Sequence, residues 1–401
     1  MKLLVVDGHE GEGMFPLFRK GAIVGELNAC DKFSHWFACV IDGHETYIPD
    51  TYVVNGVLNR DYDPTELVLQ KGHVVTLLEV VFEWLYVEDE GGKRGWLPAG
   101  KAASLTWLNA ADKWVGLNAR PLEIAKWEFI FGNGSKEAIV LELLKYQNAD
   151  GGFGNGLEPD LVMPNSNAIT SAEAVFTVYE YGLNCADDWF TGLLNYFERS
   201  VQDIPCFWEP VPKAVDDYPR PQWWSYNSSE KFSPNPCAVI AAALILHGTE
   251  TQRELGLTVA QKCFEFLLSD EFCGDHDSYC LAFLVEKLYF AKSNLITSGI
   301  ISAMEQKIKA NVCHDESKWD KYRPQPLNYA HSLSCMWHDC VKEGIDKNLK
   351  YWMSTIDNGV WKPNFSWGTD SEASRQAMQN WTGVVVVSRV KILKNYGEIK
   401  V

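Results

Sequence analysis

Residues 147–160 read Gln-Asn-Ala-Asp-Gly-Gly-Phe-Gly-Asn-Gly-Leu-Glu-Pro-Asp, and no other stretch restricts the fold as much. Four glycines fall within six positions, at 151, 152, 154 and 156. That density stops a helix and allows a tight turn in which backbone segments and one aromatic ring pack closely. Upstream, Lys136 to Tyr146 carries apolar Ala138, Val140, Leu141 and Leu144 among Lys and Glu. This is the pattern of an amphipathic helix ending near Gln147 and Asn148. A second helix is expected beyond, so the turn joins two helices and presents Asp150, Glu158 and Asp160.

The spacing Leu143, Gln147, Gly151, Phe153 resembles the repeat of the terpenoid cyclases and protein prenyltransferases, with Phe where the cyclases usually carry Trp. The resemblance spans residues 115–401 and implies an α/α toroid of helical hairpins. Asp357-Asn358-Gly359-Val360-Trp361 echoes the turn with Thr355 in place of the Gln, a degenerate copy. Helices are predicted over 121–131, 135–148, 168–182, 186–201, 235–247, 250–269, 276–291, 295–311, 327–341, 343–356 and 371–395, with Leu108 to Arg120 as a connector. Short connections make consecutive helices antiparallel hairpins.

Residues 1–105 read instead as short alternating strands between Gly, Asp and Asn turns. Two segments, 1–56 and 57–105, share a Gly before the second strand, a Trp opening the third, a Gly turn and an aromatic-x-Pro ending, and they resemble a tandem pair of SH3 domains. The expected fold class is therefore two small all-β SH3-like barrels followed by the all-α toroid. The resemblance implies grooves at Trp36, Pro49 and Tyr52 in the first copy and Tyr62, Trp84 and Pro98 in the second, for a proline-rich or cell-wall peptide. The same rings also suit barrels packed as a rigid appendage.

Composition narrows the partners. The chain has 36 basic and 53 acidic residues and a formal charge of −17, which opposes nucleic acid and anionic membranes. It lacks any run of about 18 apolar residues that could span a membrane. The apolar start at Met1 is too short for a signal peptide, and 11 scattered cysteines without CxxC spacing suit reduced thiols, so a cytoplasmic location is expected.

Glu158 and Asp160 are the candidate catalytic acids. A carboxyl in an apolar funnel keeps its proton, while a solvated neighbour ionises. Asp150 and the rings Trp223, Trp224, Tyr226, Trp361, Phe365 and Trp367 are ligand-binding candidates, because they crowd into loops that start helices. Tyr329 and His331, beside Asn328, resemble the Tyr, His and Asn that some polysaccharide lyases on α/α toroids use to remove a proton next to a carboxylate. No Asp-x-Asp-Asp motif of the protonating cyclases occurs. Asp277, Cys280, His331, His338, Asp339 and Cys340 match no metal spacing, so neither metal nor cofactor is expected.

Fold alone does not fix a reaction. The leading expectation is a bulky, isoprenoid-like small-molecule ligand in an aromatic cavity, with acid catalysis by Glu158 or Asp160. The alternatives are a carbohydrate-active hydrolase or lyase acting on an oligosaccharide, and a non-catalytic binding protein recruited through the SH3-like modules. A mostly apolar wall with one buried carboxyl would favour the first, and Trp platforms with several Arg, Asn and acid groups the second.

Overall fold

The computed structural model describes residues 1–104, 106–202, 207–227 and 231–399. The chain divides into one unit of Met1–Lys113 with Leu393–Val401, and a second of Trp114–Ile392.

The first unit is β-rich. Its strands are β1 Lys2–Val5, β2 Val24–Ala29, β3 Trp36–Ile41, β4 His44–Pro49, β5 Val53–Val54, β6 Val57–Leu58, β7 Val74–Val81, β8 Trp84–Glu88, β9 Arg94–Pro98 and β10 Ala102–Ser104. They form an antiparallel sheet in the order β10-β1-β7-β8-β9, a second in the order β2-β3-β4, and the short pair β5-β6. Because β1 pairs with both β7 and β10, the sheets do not divide at residue 56. Asp42 and Gly43 close the β3-β4 hairpin with φ of 49° and 80°, the left-handed pair that a two-residue turn needs.

A repeated motif appears within this unit. Both β4 and β9 end at a proline and run into a single 3-10 turn, Asp50–Tyr52 and Ala99–Lys101, then into a short strand. Trp36, Cys39 and Ile41 of β3 are buried with Tyr52, Tyr62, Trp84 and Trp96 in one core shared by residues from both halves.

The second unit is helical. Among the described residues the chain forms twelve α-helices: α1 Thr106–Asn118, α2 Pro121–Ile130, α3 Lys136–Leu143, α4 Ala168–Tyr181, α5 Asp188–Ser200, α6 Pro234–His247, α7 Glu250–Leu268, α8 Asp275–Phe290, α9 Ser298–Asn311, α10 Pro326–Tyr329, α11 His338–Thr355 and α12 Glu372–Asn395. The ends of the chain division fall inside α1 and α12. From α4 onward two layers alternate. Helices α4, α6, α8 and α10 pack on one another in sequence, as do α5, α7, α9 and α11, and hairpin partners join the layers.

Sequence chemistry explains the layers. In α6 every residue from Cys237 to Leu244 is fully buried, which suits a helix surrounded by others. By contrast α5 buries only Phe190, Leu193, Leu194 and Phe197, a single stripe at three- and four-residue spacing. Helix starts are capped by Ser135, Asn167, Ser233, Thr249 and Thr297, whose side-chain oxygens accept from backbone N–H groups of the first turn.

Two expectations fail here. The connector 108–120 is mostly helix, since α1 runs from Thr106 to Asn118. The helix expected over 327–341 stops after Tyr329 and restarts at His338. Within the break Glu286 of α8 holds the chain, its Oε1 accepting from the Met336 N–H at 3.2 Å and from the Cys335 thiol at 3.5 Å. A carboxylate that takes the amide leaves it unavailable to the helix ladder.

Candidate functional site

The glycine-rich turn fixes the position of the candidate acids. After α3 the chain tightens into a 3-10 turn, Leu144–Tyr146, and Gln147 Nε2 then donates to Gly151 O and to Trp189 O in the first turn of α5, both at 2.9 Å. Gly151 has φ of 88°, and any Cβ there would run into the carbonyl of Gly192. A Cβ at Gly154 would meet the Pro164 carbonyl. Phe153 is fully buried, a contribution of about 1.5–3 kcal/mol, and its N–H donates to Ser171 Oγ at 2.9 Å.

Arg120, at the start of α2, clamps the far end of this turn. It grips Glu123 through two bonds, Nε to Oε2 at 2.7 Å and Nη2 to Oε1 at 2.9 Å, and its Nη1 donates to Gly156 O at 2.7 Å and Leu157 O at 2.9 Å. Every side of this buried cation is therefore paired. The chain leaves the clamp at Glu158.

Glu158 and Asp160 are both buried and both line a cavity of about 820 Å³ inside the helical unit. Its wall also carries Glu173 of α4, Asn235 of α6, and Asp275, His276 and Tyr279 from the first turn and a half of α8. Tyr322, Arg323, Gln325, Asn328 and His331 follow from the segment around α10. One face of α12 completes it with Trp381, Val384, Val385, Ser388, Arg389 and Ile392, while Trp223, Trp224, Lys362, Asn364 and Phe365 come from loops.

The carboxyls differ in setting. Burial, followed by the nearby Glu173 and Asp160, pushes Glu158 well above the ordinary glutamate value. Burial likewise raises Glu173 to about 7, and Lys126 only partly opposes it. At neutral pH this pair retains a proton. Burial raises Asp160 as well, but the Trp367 indole donates to its Oδ1 at 2.7 Å, and the Trp223 indole acts in the same direction to favour the anion. One acid thus keeps its proton beside another whose charge is supported.

Basic and neutral groups stand around these acids. His276 shares a 2.7 Å hydrogen bond with the Tyr322 hydroxyl, and burial holds it below the usual histidine value. Burial lowers His331 too, and its Nε2 donates to Asn328 O at 3.0 Å. Arg389 rests over the rings of Trp352 at 4.6 Å and Trp361 at 5.5 Å. Phe365 meets Trp223, Tyr322 and Trp381 edge to face.

Several sequence candidates lie elsewhere. Asp150 is exposed and works within the turn, where its Oδ1 accepts from Ser166 Oγ at 2.7 Å and from Gly152 N at 3.0 Å. Tyr226 packs against Leu161, Met163 and Ile169. Trp361 is buried, and its indole donates to Trp352 O at 2.7 Å. Tyr329 is buried with its hydroxyl 3.0 Å from Ser278 Oγ, so it does not share the cavity wall with His331. Among the described residues no group of three His, Cys, Asp or Glu side chains is arranged to hold a metal ion.

In the β unit Trp36, Tyr62, Trp84 and Pro98 border a second cavity of about 780 Å³. Pro49 and Tyr52 are buried away from its wall. The rings named as groove residues thus have their bodies in the core.

Glu173, Asp275, His276, Arg323 and Arg389 were not singled out from the sequence. A signal existed for two of them. Glu173 sits in Ser-Ala-Glu-Ala-Val-Phe and Arg389 in Val-Val-Val-Val-Ser-Arg-Val, each a lone charge in an apolar helix. Such a charge is costly to bury unless something pairs with it. No protein family model matches the chain, and no curated protein is significantly similar to it.

Proposed function

We propose that residues 115–401 form an α/α toroid like that of the terpenoid cyclases and protein prenyltransferases, and that its cavity serves a carbohydrate-active hydrolase or lyase. The alternating layers of α4 to α11 support the fold, as does the Lys391–Glu180 pair at 3.4 Å, which brings α12 back to α4. The observation that carries the reaction class is the makeup of the cavity wall. It holds four carboxyls, three cations, amides and Trp rings, which suits a polyhydroxylated ligand better than a hydrocarbon.

In this reading the Glu158–Glu173 pair supplies the proton to the departing sugar oxygen. Asp160 acts as the ionised partner, and Trp223, Trp224 and Phe365 stack on sugar faces. The isoprenoid alternative is favoured by the exposed surface of the wall, most of which is apolar, including the strip of Val384, Val385 and Ile392 beside the Trp rings. The N-terminal unit reads as the tandem SH3-like pair, supported by its two strand-proline-turn repeats.

The test is product release from a panel of neutral and acidic polysaccharides, with prenyl diphosphates as a parallel arm. Glu158→Gln and Glu173→Gln should each slow the reaction by about 10²–10⁴-fold. Because the acid must hold its proton, wild-type rate should fall as pH rises through about 7, and Glu173→Gln should shift that limb. Unchanged rates in both variants, or turnover of the prenyl arm alone, would sink the sugar reading.

A further inference from the structure

Arg120 and Arg389 set the terms of this inference. Both are arginines in the helical unit, Arg120 almost wholly buried and Arg389 partly so. Arg120 has a bidentate carboxylate and two carbonyls. Among the described residues Arg389 has no hydrogen bond and no ion pair with an acidic group, and its guanidinium lies over the faces of Trp352 and Trp361. A guanidinium carries five donors in a planar fork, and those of Arg389 are left for whatever occupies the cavity that it lines.

The seat of Arg389 is rigid. Trp361 is tied to the Trp352 carbonyl at 2.7 Å, and the Trp352 indole donates to Gln325 Oε1 at 2.7 Å. That same oxygen accepts from Asn348 Nδ2 at 2.8 Å, and Gln325 Nε2 donates to Trp319 O at 3.1 Å. Two ring planes and a buried amide network therefore hold the guanidinium in place without neutralising it. Stacking of this kind leaves the edge of the fork free for a planar acceptor. Burial lowers its pKa to about 10, so it remains a cation at neutral pH.

We infer that Arg389 is the anchor for a carboxylate on the ligand, and that the cavity therefore takes an acidic sugar. This rests on the sugar reading of the same site. The charge balance selects the kind of anion. The wall carries Glu158, Asp160, Glu173 and Asp275 against Arg323, Lys362 and Arg389. With one proton retained on the glutamate pair the wall is close to neutral, so it offers no surplus of positive charge for a diphosphate and only a single stacked guanidinium for one carboxylate. A second polar feature fits the same ligand: the Trp224 indole N–H is buried on the wall with no hydrogen-bond partner, a free donor for a hydroxyl or carboxylate oxygen.

The experiment is thermal unfolding and calorimetric titration of the whole chain with glucuronate- and galacturonate-containing oligosaccharides, each beside its methyl ester at matched ionic strength. The acids should stabilise the protein and bind about 10–100-fold more tightly than their esters. Arg389→Met should bring that ratio to about 1, and Arg389→Lys should recover part of it. Unfolding of both variants without ligand checks that the Trp352–Trp361 seat survives. Should Arg389→Met not fold, the acid-to-ester ratio in wild type and in Arg389→Lys still decides.

Equal binding of acid and ester that ignores Arg389 overturns the anchor and leaves the sugar reading standing. Silence of every acid overturns it too. An Arg389-dependent shift from acetate or malonate as large as that from the uronates keeps the anchor and removes the sugar. A shift from geranyl diphosphate alone removes the carboxylate.

Discussion

In the β unit Trp36 meets Trp84 and Trp96 at ring-centroid distances of 5.8 and 5.6 Å, and the indole N–H groups of Trp36 and Trp84 have no hydrogen-bond partner. In the helical unit Trp367 spends its N–H on Asp160, while Trp223 keeps 49% of its surface exposed beside the same cavity. The residue type is the same, but the element that carries it differs. A strand alternates strictly, so a Trp on its inner face enters ring and all, and the burial of a large apolar surface outweighs an unsatisfied N–H. A loop before a helix has no such period, and its Trp can turn the polar edge of the ring toward a carboxyl. Trp36 and Trp84 are thus filler in one region and Trp367 a donor in the other.

The contrast breaks most visibly at Trp36. Trp36→Ala empties the centre of the β core and should cost about 3–5 kcal/mol, read by chemical denaturation, with cavity ligands of the helical unit binding as before. A loss below about 1 kcal/mol would mean that the ring is not core.

Trp367→Phe should cost about 1–3 kcal/mol and in a pH-dependent way. Burial raises Asp160 above the usual 3.8, so its ionisation already weakens the fold as pH rises from that value through the raised one. Without the indole donor the raised value climbs further. The gap in melting temperature between wild type and variant should therefore widen from acid toward neutral pH, and a constant gap would show that the indole does not support the anion.

Trp223→Ala should cost less stability than Trp367→Phe, because the ring is half-exposed and only shares in supporting the Asp160 anion. Its larger effect should appear in ligand affinity. Equal loss of stability and affinity would place Trp223 with the β-unit rings.

Much of the helical architecture was legible, because α4 to α9 and α12 carry long apolar stretches, with side-chain caps on α4, α6, α7 and α9, and their expected limits fall within a few residues of those observed. The Gly151 turn and the acids it presents were legible for a related reason, since glycine density and a following Glu-Pro-Asp are local signals. The interruption at Tyr329 was not, because the residue that holds the chain there, Glu286, is more than forty positions away in sequence. Trp36 and Tyr62 belong to the buried core of the β unit and also border its cavity, a double position that alternation cannot show, since it puts a ring on one face without saying what covers that face. Arg389 and Glu173 could have been flagged as isolated charges in apolar helices. Their shared cavity could not, because it exists only once helices distant in sequence are brought together.

The contact between Gly151 and Gly192 bears on how this protein can vary. The two positions lie on separate hairpins and touch backbone to backbone, yet they are unequal. A methyl at Gly192 would meet neighbours at no closer than 3.8 Å, whereas a methyl at Gly151 has no room at all. Under random mutagenesis, inactivating changes should pile up at residue 151 and its neighbours 152 and 154, while 192 drifts to alanine without penalty. The segment most intolerant of change would then be one that never meets the substrate.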